Sequence, residues 1–411
     1  MRSSPSLTEP DADDVARARP AVEELARRTP LLSTRTISER AGGIVTLKAE
    51  NLQRTGSFKV RGVAAKLAAL GEAGCSNGVV AASAGNHGQA LAAAARQRGV
   101  RCEVFMPSDA PLAKVEAARG QGAIIHMGGD SVDACIASAL ERAESGGLAF
   151  VHPFDDPVVV AGQGSLGLEL LEDVPDLAKV IVPVGGGGLC AGVAIAIKSA
   201  RPDVEIIGVQ AAACAPYPES LARGVAVPAT SALTIADGIA VKSPGALTLG
   251  LLKRWADDVV VVGEDETAEA MVVLMERCKL VVEGAGAVGV AALLGGQVRA
   301  AESGTTVAIL SGGNVDPGLL AAVARRHETE SGRRVVLLTR VPDRPGNLAR
   351  LLVEVANTGA NIVDVSHVRE GLDLHVRETA IELVLETRGK EHADGVVTAL
   401  RTAGYATRVI R

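Results

Sequence analysis

Val180-Ile181-Val182-Pro183-Val184-Gly185-Gly186-Gly187-Gly188-Leu189-Cys190-Ala191-Gly192-Val193-Ala194-Ile195-Ala196-Ile197 is a short apolar run, four glycines and a second apolar run of helical length. The first run reads as a buried strand and the second as a helix. Four residues without Cβ therefore sit where a strand turns into a helix. There the backbone can take positive φ and approach an anion closely, and the first free N–H groups of the helix point at that anion with the positive end of the helix dipole behind them. Taken alone the run also suits a plain connection, and its spacing matches neither the Walker pattern nor a full G-x-G-x-x-G fingerprint.

Outward from this stretch, from about residue 43 to 315, short β-branched runs alternate with alanine-rich helical stretches: Gly78–Ala82, Cys102–Met106, Ala123–Met127, Glu205–Val209, Val259–Val262 and Thr306–Leu310. Strands apolar on both faces and separated by helices predict parallel sheets covered on both sides, an α/β body whose ligands gather at the carboxyl ends of strands. Arg325 to Arg334 is polar and reads as a linker. Beyond it the pattern predicts a strand at Val335–Val341, a helix over Gly346–Asn357, strands at Asn361–Val368 and Thr379–Glu386, a helix over His392–Ala403 and a last strand at Ala406–Ile410. That β-α-β-β-α-β order is the ferredoxin-like split unit.

A second segment carries chemistry. In Glu50-Asn51-Leu52-Gln53-Arg54-Thr55-Gly56-Ser57-Phe58-Lys59-Val60-Arg61-Gly62 a lysine stands among small and polar residues just before the helical pattern Val63–Leu70. Desolvated at such a junction, a lysine amine loses basicity and becomes a nucleophile able to form a Schiff base. A surface lysine snorkelling from a helix start is the commoner arrangement.

Composition narrows the clients. The 411 residues are 47% hydrophobic and 22% charged, enough for two or three domains with a sizeable core. Aromatics are only 2% and the net charge is -6, which argues against stacked single-stranded bases and against phosphate-held nucleic acid. Small molecules are the expected ligands. Six cysteines (Cys75, Cys102, Cys135, Cys190, Cys214 and Cys278) form no C-x-x-C pair, so neither a zinc site nor a disulfide framework is expected. Met1 to Asp14 is polar and acidic, unlike a signal peptide, and no stretch approaches a membrane span. A cytoplasmic protein without a membrane partner is the expectation.

With both segments in hand, the chain resembles the threonine dehydratases (threonine ammonia-lyases), pyridoxal-phosphate enzymes of fold type II, with a C-terminal ACT domain. The motifs that carry the likeness are Gly56–Gly62, Ala82-Ser83-Ala84-Gly85-Asn86-His87-Gly88-Gln89-Ala90, Val182–Leu189 and Leu310-Ser311-Gly312-Gly313-Asn314. His152–Pro157, Gly162–Gly164 and Glu283–Ala287 support it. The resemblance implies a tryptophan synthase β-like catalytic domain over residues 1–325, a small subdomain of about 51–150 inserted in a large one (1–50 and 151–325), a linker at 326–334 and an ACT domain at 335–411.

Carried over residue by residue, it makes Lys59 the Schiff-base lysine and catalytic residue, with Phe58, Asn86, Gly185, Gly186, Gly187, Gly188, Leu189 and Ser311 binding the cofactor. Asn86 would donate to the phenolic oxygen of pyridoxal phosphate, and Ser311 would face the pyridine nitrogen. A serine hydroxyl cannot hold that ring protonated as a carboxylate would, so the ring is the weaker electron sink and loss of a β-hydroxyl is favoured. Ser83, Ala84, Gly85, Asn86 and His87 would receive the substrate carboxylate, although Asn86 and His87 also suit a helix cap near Gly88. Serine racemases of the same fold carry a serine at the place of Ala84 and acidic metal ligands in the segment matching Gln210–Pro216; both are missing here, which implies elimination, without a metal at that position. The implied activity is conversion of threonine to 2-oxobutanoate and ammonia, and of serine to pyruvate. A serine-preferring dehydratase, another fold type II lyase and a non-catalytic amino-acid sensor are the alternatives. Arg344, Pro345, Gly346, Asn347 and Leu348 resemble an ACT ligand loop, completed by Asn361 and Ile362 of an adjacent copy. That implies a branched-chain amino-acid effector and a homo-oligomer, dimer or tetramer.

Overall fold

The computed structural model describes residues 9–83, 85–108, 110–129, 132–369 and 374–410. Ala84, an expected substrate contact, lies outside them. The chain divides between Asp316 and Pro317 into two compact units.

The first unit holds two sheets. β1 (Leu31–Ser33), β2 (Val45–Lys48), β7 (Leu177–Pro183), β8 (Glu205–Ala211), β9 (Asp258–Val262) and β10 (Thr305–Ile309) form one, in the order β1-β2-β10-β7-β8-β9, parallel except for the β1–β2 pair. The other is wholly parallel: β3 (Val79–Ala82), β4 (Cys102–Met106), β5 (Ile124–Met127) and β6 (Ala149–Phe150), in the order β5-β4-β3-β6. Parallel strands need crossover helices, and those helices cover the sheets and build the cores from Val, Ile, Leu and Ala. Tyr217 is the one aromatic ring fully buried among the described residues.

Close helix packing depends on missing side chains. The helices Pro157–Asp173 and Gly188–Ala200 cross where a Cβ on Gly164 would lie 2.8 Å from the Gly192 carbonyl and one on Gly192 would lie 2.6 Å from the Gly164 nitrogen. Two strands deliver helix N-termini at their carboxyl ends: β3 leads through Ser83 to the helix Asn86–Gln97, and β7 through the glycine run to Gly188–Ala200. This is where parallel sheets bind ligands.

The second unit opens with the helix Pro317–Glu330 and continues as β11 (Arg334–Pro342), the helix Asn347–Asn357, β12 (Asn361–Val368), β13 (Glu378–Glu386), the helix Lys390–Thr402 and β14 (Ala406–Ile410). The sheet is antiparallel in the order β12-β13-β11-β14, a ferredoxin-like unit over its own core of Leu337, Leu351, Ile381, Leu383 and Val396. The expected linker at 326–334 is corrected here. It is helical through Glu330, and the division falls at Asp316 rather than Arg325. Polar composition suggested a connection, but Arg326 and Glu330 are an i,i+4 ion pair at 3.0 Å on a helix face. Among the described residues no helix is long and apolar enough to cross a membrane.

Candidate active site

Lys59 is the first residue of the helix Lys59–Gly74. The chain before it is stitched to the loop after β10: Ser57 bridges Gly312, the Phe58 N–H donates to the Ser311 carbonyl at 3.0 Å, and the Gly313 N–H donates to the Gly56 carbonyl at 2.9 Å. The Lys59 Nζ donates to the Pro153 carbonyl at 2.9 Å and lies 5.1 Å from the centre of the Phe58 ring. Loss of water lowers the Lys59 ammonium to about 8, against the opposing pull of the Glu283 charge.

Behind that helix start lies a buried ionic cluster. Arg61 donates to both Glu50 oxygens at 2.8 Å and to Glu169 Oε1 at 2.7 Å, while Lys48 Nζ is 2.6 Å from Glu169 Oε2 and donates to the Thr29 carbonyl at 2.8 Å. Two cations and two anions neutralise each other, the condition for keeping such groups out of water. The result is a rigid footing two residues from the lysine.

The glycine run is a close-packed turn. Gly187 has φ +88°, the left-handed region that favours glycine, and it precedes a helix whose N-terminus has no side-chain cap. A Cβ on Gly186 would enter the Phe154 ring, one on Gly187 would meet the Tyr217 hydroxyl, and one on Gly188 would lie 2.9 Å from the Phe154 carbonyl. Tyr217 Oη donates to the Gly186 carbonyl at 3.0 Å and lies 3.0 Å from Thr248 Oγ1. Gln210 joins the Val184 carbonyl (3.2 Å) to the Tyr217 N–H (2.9 Å). The carbonyls are thereby turned toward protein, and the N–H groups of the helix start are left for an anion. Leu189 is buried in the core beneath.

The loop after β3 forms the facing wall. Asn86 opens its helix rather than capping it, the cap being Gly85 without a side-chain bond. Asn86 Nδ2 donates to Glu283 Oε1 at 2.7 Å, and Asn314 Nδ2 donates to Asn86 Oδ1 and to the Thr55 carbonyl, both at 2.8 Å. Burial raises the Glu283 carboxyl to about 7, helped by the Asp237 charge and opposed by the Asn86 bond. The Gly85 N–H is taken by Ser83 Oγ at 3.1 Å. Burial pushes the His87 imidazolium down to about 3, so the ring is neutral; its Nε2, 2.9 Å from the Val151 carbonyl, carries the proton. Among the described residues, Ser311 Oγ reaches only the Ala285 carbonyl at 3.5 Å, and Ser57 Oγ, Thr55 Oγ1, Asn51 Oδ1 and His87 Nδ1 are buried without partners.

Lys59, Phe58, Asn86, the glycine run and Ser311 thus belong to one continuous set of contacts. Pro153 and Phe154 tie the lysine amine to the glycines; Ser311, Gly312 and Glu283 tie its helix to Asn86. Sequence reasoning did not single out Tyr217, Gln210 or Pro153 as site residues, although Pro153 lay inside the quoted stretch His152–Pro157 and Gln210 inside Gln210–Pro216, as Asn314 did inside Leu310–Asn314. In the second unit, Gly346 has φ +88° and caps the helix that Asn347 begins, with Asn347 Nδ2 on the Pro342 carbonyl at 3.0 Å. Arg344 and Pro345 are exposed, Asn361 Nδ2 donates to Glu386 at 3.0 Å, and Leu348 and Ile362 pack against that unit's core. No group of three or more His, Cys, Asp or Glu suited to a metal occurs among the described residues.

Comparison with known proteins agrees with this geometry. Residues 22–312 match the family described as pyridoxal-phosphate dependent enzyme. An L-threonine ammonia-lyase of Thermotoga maritima is 45% identical over 399 residues, 97% of this chain and 99% of the relative. Among solved structures, the processed form of threonine deaminase isoform 2 from Solanum lycopersicum matches with a TM-score of 0.71 at 33% identity, over 78% of this chain and 95% of that one. Maize serine racemase matches with a TM-score of 0.73 at 34% identity, over 78% and 98%.

Proposed function

The chain belongs to the pyridoxal-phosphate dependent enzymes, and from that premise we propose that it deaminates L-threonine to 2-oxobutanoate and ammonia, and L-serine to pyruvate. The observation that carries the reading is the partly buried Lys59 amine on the Pro153 carbonyl, one residue from the Phe154 against which Gly186 and Gly188 rest. An amine of lowered basicity and a phosphate cradle meet at one point.

The residues fit the cofactor. Its phosphate suits the uncapped N–H groups of Gly185 to Leu189, where side chains would collide with Phe154 and Tyr217. Its carbonyl carbon suits Lys59, its phenolic oxygen Asn86 and its ring nitrogen Ser311, whose hydroxyl has only a 3.5 Å contact to leave. When bound, pyridoxal phosphate supplies an aldehyde that captures the substrate amine and a ring that withdraws electrons from Cα. The chain's own residues do the rest. Lys59 Nζ, near 8, is a fit base for the Cα proton at mildly alkaline pH. The N–H groups of the loop from Ser83 to His87 receive the substrate carboxylate, with the Gly85 N–H released from Ser83 Oγ. Elimination rather than racemisation rests on the alanine at position 84, which offers no acidic proton to return to Cα as a serine hydroxyl would.

The second unit is the regulatory one in this reading. Arg344 to Leu348, with Asn361 and Ile362 of a second copy, hold a branched-chain amino acid, and the enzyme works as a homo-oligomer.

Steady-state assays of the cofactor-loaded enzyme on threonine and on serine, each with and without isoleucine or valine, test the reading. 2-Oxobutanoate release is expected from the wild type, and Lys59→Ala is expected to abolish both turnover and the visible absorbance of the bound cofactor. Full turnover in that variant, or no product from either substrate in the wild type, overturns it.

A further inference from the structure

The C-terminal unit breaks a rule of sheet design at its β14 edge. In the β11–β14 register Arg340 pairs with Ala406 and Leu338 with Arg408, so Arg340 and Arg408 are diagonal neighbours on one face. Such pairs approach within about 7–8 Å, where opposite charges stabilise and like charges do not. A third guanidinium, Arg401 from the helix Lys390–Thr402, is held beside them by its Nε bond to the Thr407 carbonyl at 3.2 Å. None of the three forms an ion pair among the described residues. Glu382, diagonal to Arg340 on β13, forms none with it. This unit, from Pro317 on, carries 14 Lys or Arg against 12 Asp or Glu, in a chain of net charge -6. Positive charge is therefore concentrated where the chain as a whole is acidic.

The three arginines line a concavity of about 460 Å³ together with Leu338, Thr407 and Tyr405. That volume lies within the range of small-molecule sites. Tyr405 is the sole Phe, Tyr or Trp of the unit; its ring packs against the core while its phenol has no partner among the described residues. Unpaired like charges retained around a cavity are a cost in the free protein that a ligand of opposite charge removes. Guanidinium forks bind phosphate and carboxylate oxygens in pairs, and one pyrophosphate group has enough terminal oxygens for three forks where a single carboxylate serves one.

We infer that this cavity is an anion site for a small phosphate-bearing molecule, separate from the Arg344–Leu348 loop and independent of the reading of the catalytic unit.

The test uses the full-length enzyme with its cofactor bound, so that the glycine run is already filled, and titrates inorganic pyrophosphate by calorimetry. Saturable binding is expected, weakened at least about tenfold in the Arg340→Gln/Arg408→Gln double variant and unchanged in Arg350→Gln, an exposed arginine elsewhere in the unit. A second readout is thermal. Without anion the double variant should melt at or above the wild-type temperature, because a repulsion is gone, and pyrophosphate should raise the melting temperature of the wild type only. Absent saturation, an equal loss in Arg350→Gln, or citrate binding as tightly as pyrophosphate overturns the assignment.

Discussion

Tyr217 shows how a single hydroxyl governs a main-chain site. It holds the Gly186 carbonyl at 3.0 Å, which keeps that carbonyl out of the cradle proposed for the cofactor phosphate. Removing one buried hydrogen bond costs about 1 kcal/mol, so Tyr217→Phe is expected to weaken cofactor binding about five- to tenfold in a fluorescence titration while kcat at saturating cofactor stays near wild type. A fall in kcat with unchanged cofactor affinity would contradict this role. Glu283 gives a pH signature. Its carboxyl is raised to about 7 from 4.5, so between those values the folded protein binds a proton that the unfolded chain has lost, and the stability this contributes disappears as pH rises through the window. Melting curves of the cofactor-free protein from pH 5 to 7 are expected to decline more steeply for the wild type than for Glu283→Gln. Tyr217 was not legible as a site residue, whereas Glu283 stood in a stretch that supports the resemblance, Glu283–Ala287, without an assigned role. Lys59, Asn86, Ser311 and the glycines stand in contiguous motifs whose local chemistry is visible, whereas Tyr217 and Gln210 act through contacts that exist only after β7 and β8 pair and the chain folds back over them.

At the scale of elements, the glycines of the catalytic unit divide into those that make the site and those that let helices approach. Gly185 to Gly188 belong to the first class. Gly164 and Gly192 belong to the second, since each fills the space where the other's Cβ would stand. Gly192→Ala is therefore expected to cost about 1–3 kcal/mol of stability, read from denaturant midpoints, although the residue touches neither lysine nor glycine turn. An unchanged midpoint would mean that the two helices separate without penalty. The strands β3, β4, β5, β7, β8, β9 and β10 were legible as apolar runs, whereas the two-residue β6 is too short to stand out; the helix Pro317–Glu330 was not legible, because charge and histidine mask a helical face that becomes evident only through Arg326 and Glu330.

The whole molecule is two compact units joined at Asp316–Pro317, and the first contains Lys59, the glycine run, Asn86 and Ser311 in full. Truncation after Asp316 is thus expected to leave threonine turnover within about threefold of the intact enzyme while removing any response to isoleucine or valine, a coupling of order 1–3 kcal/mol in the intact protein. Persistence of the response in the truncated enzyme would move the effector site into the catalytic unit. Within the larger unit, the Arg61, Glu50, Glu169 and Lys48 cluster holds the start of the lysine helix by charge, and the penalty for keeping charges dry shrinks on warming while apolar packing gains little. The reactive amine is consequently moored by the contacts least weakened as temperature climbs, so that inactivation by heat follows the loss of the fold rather than preceding it.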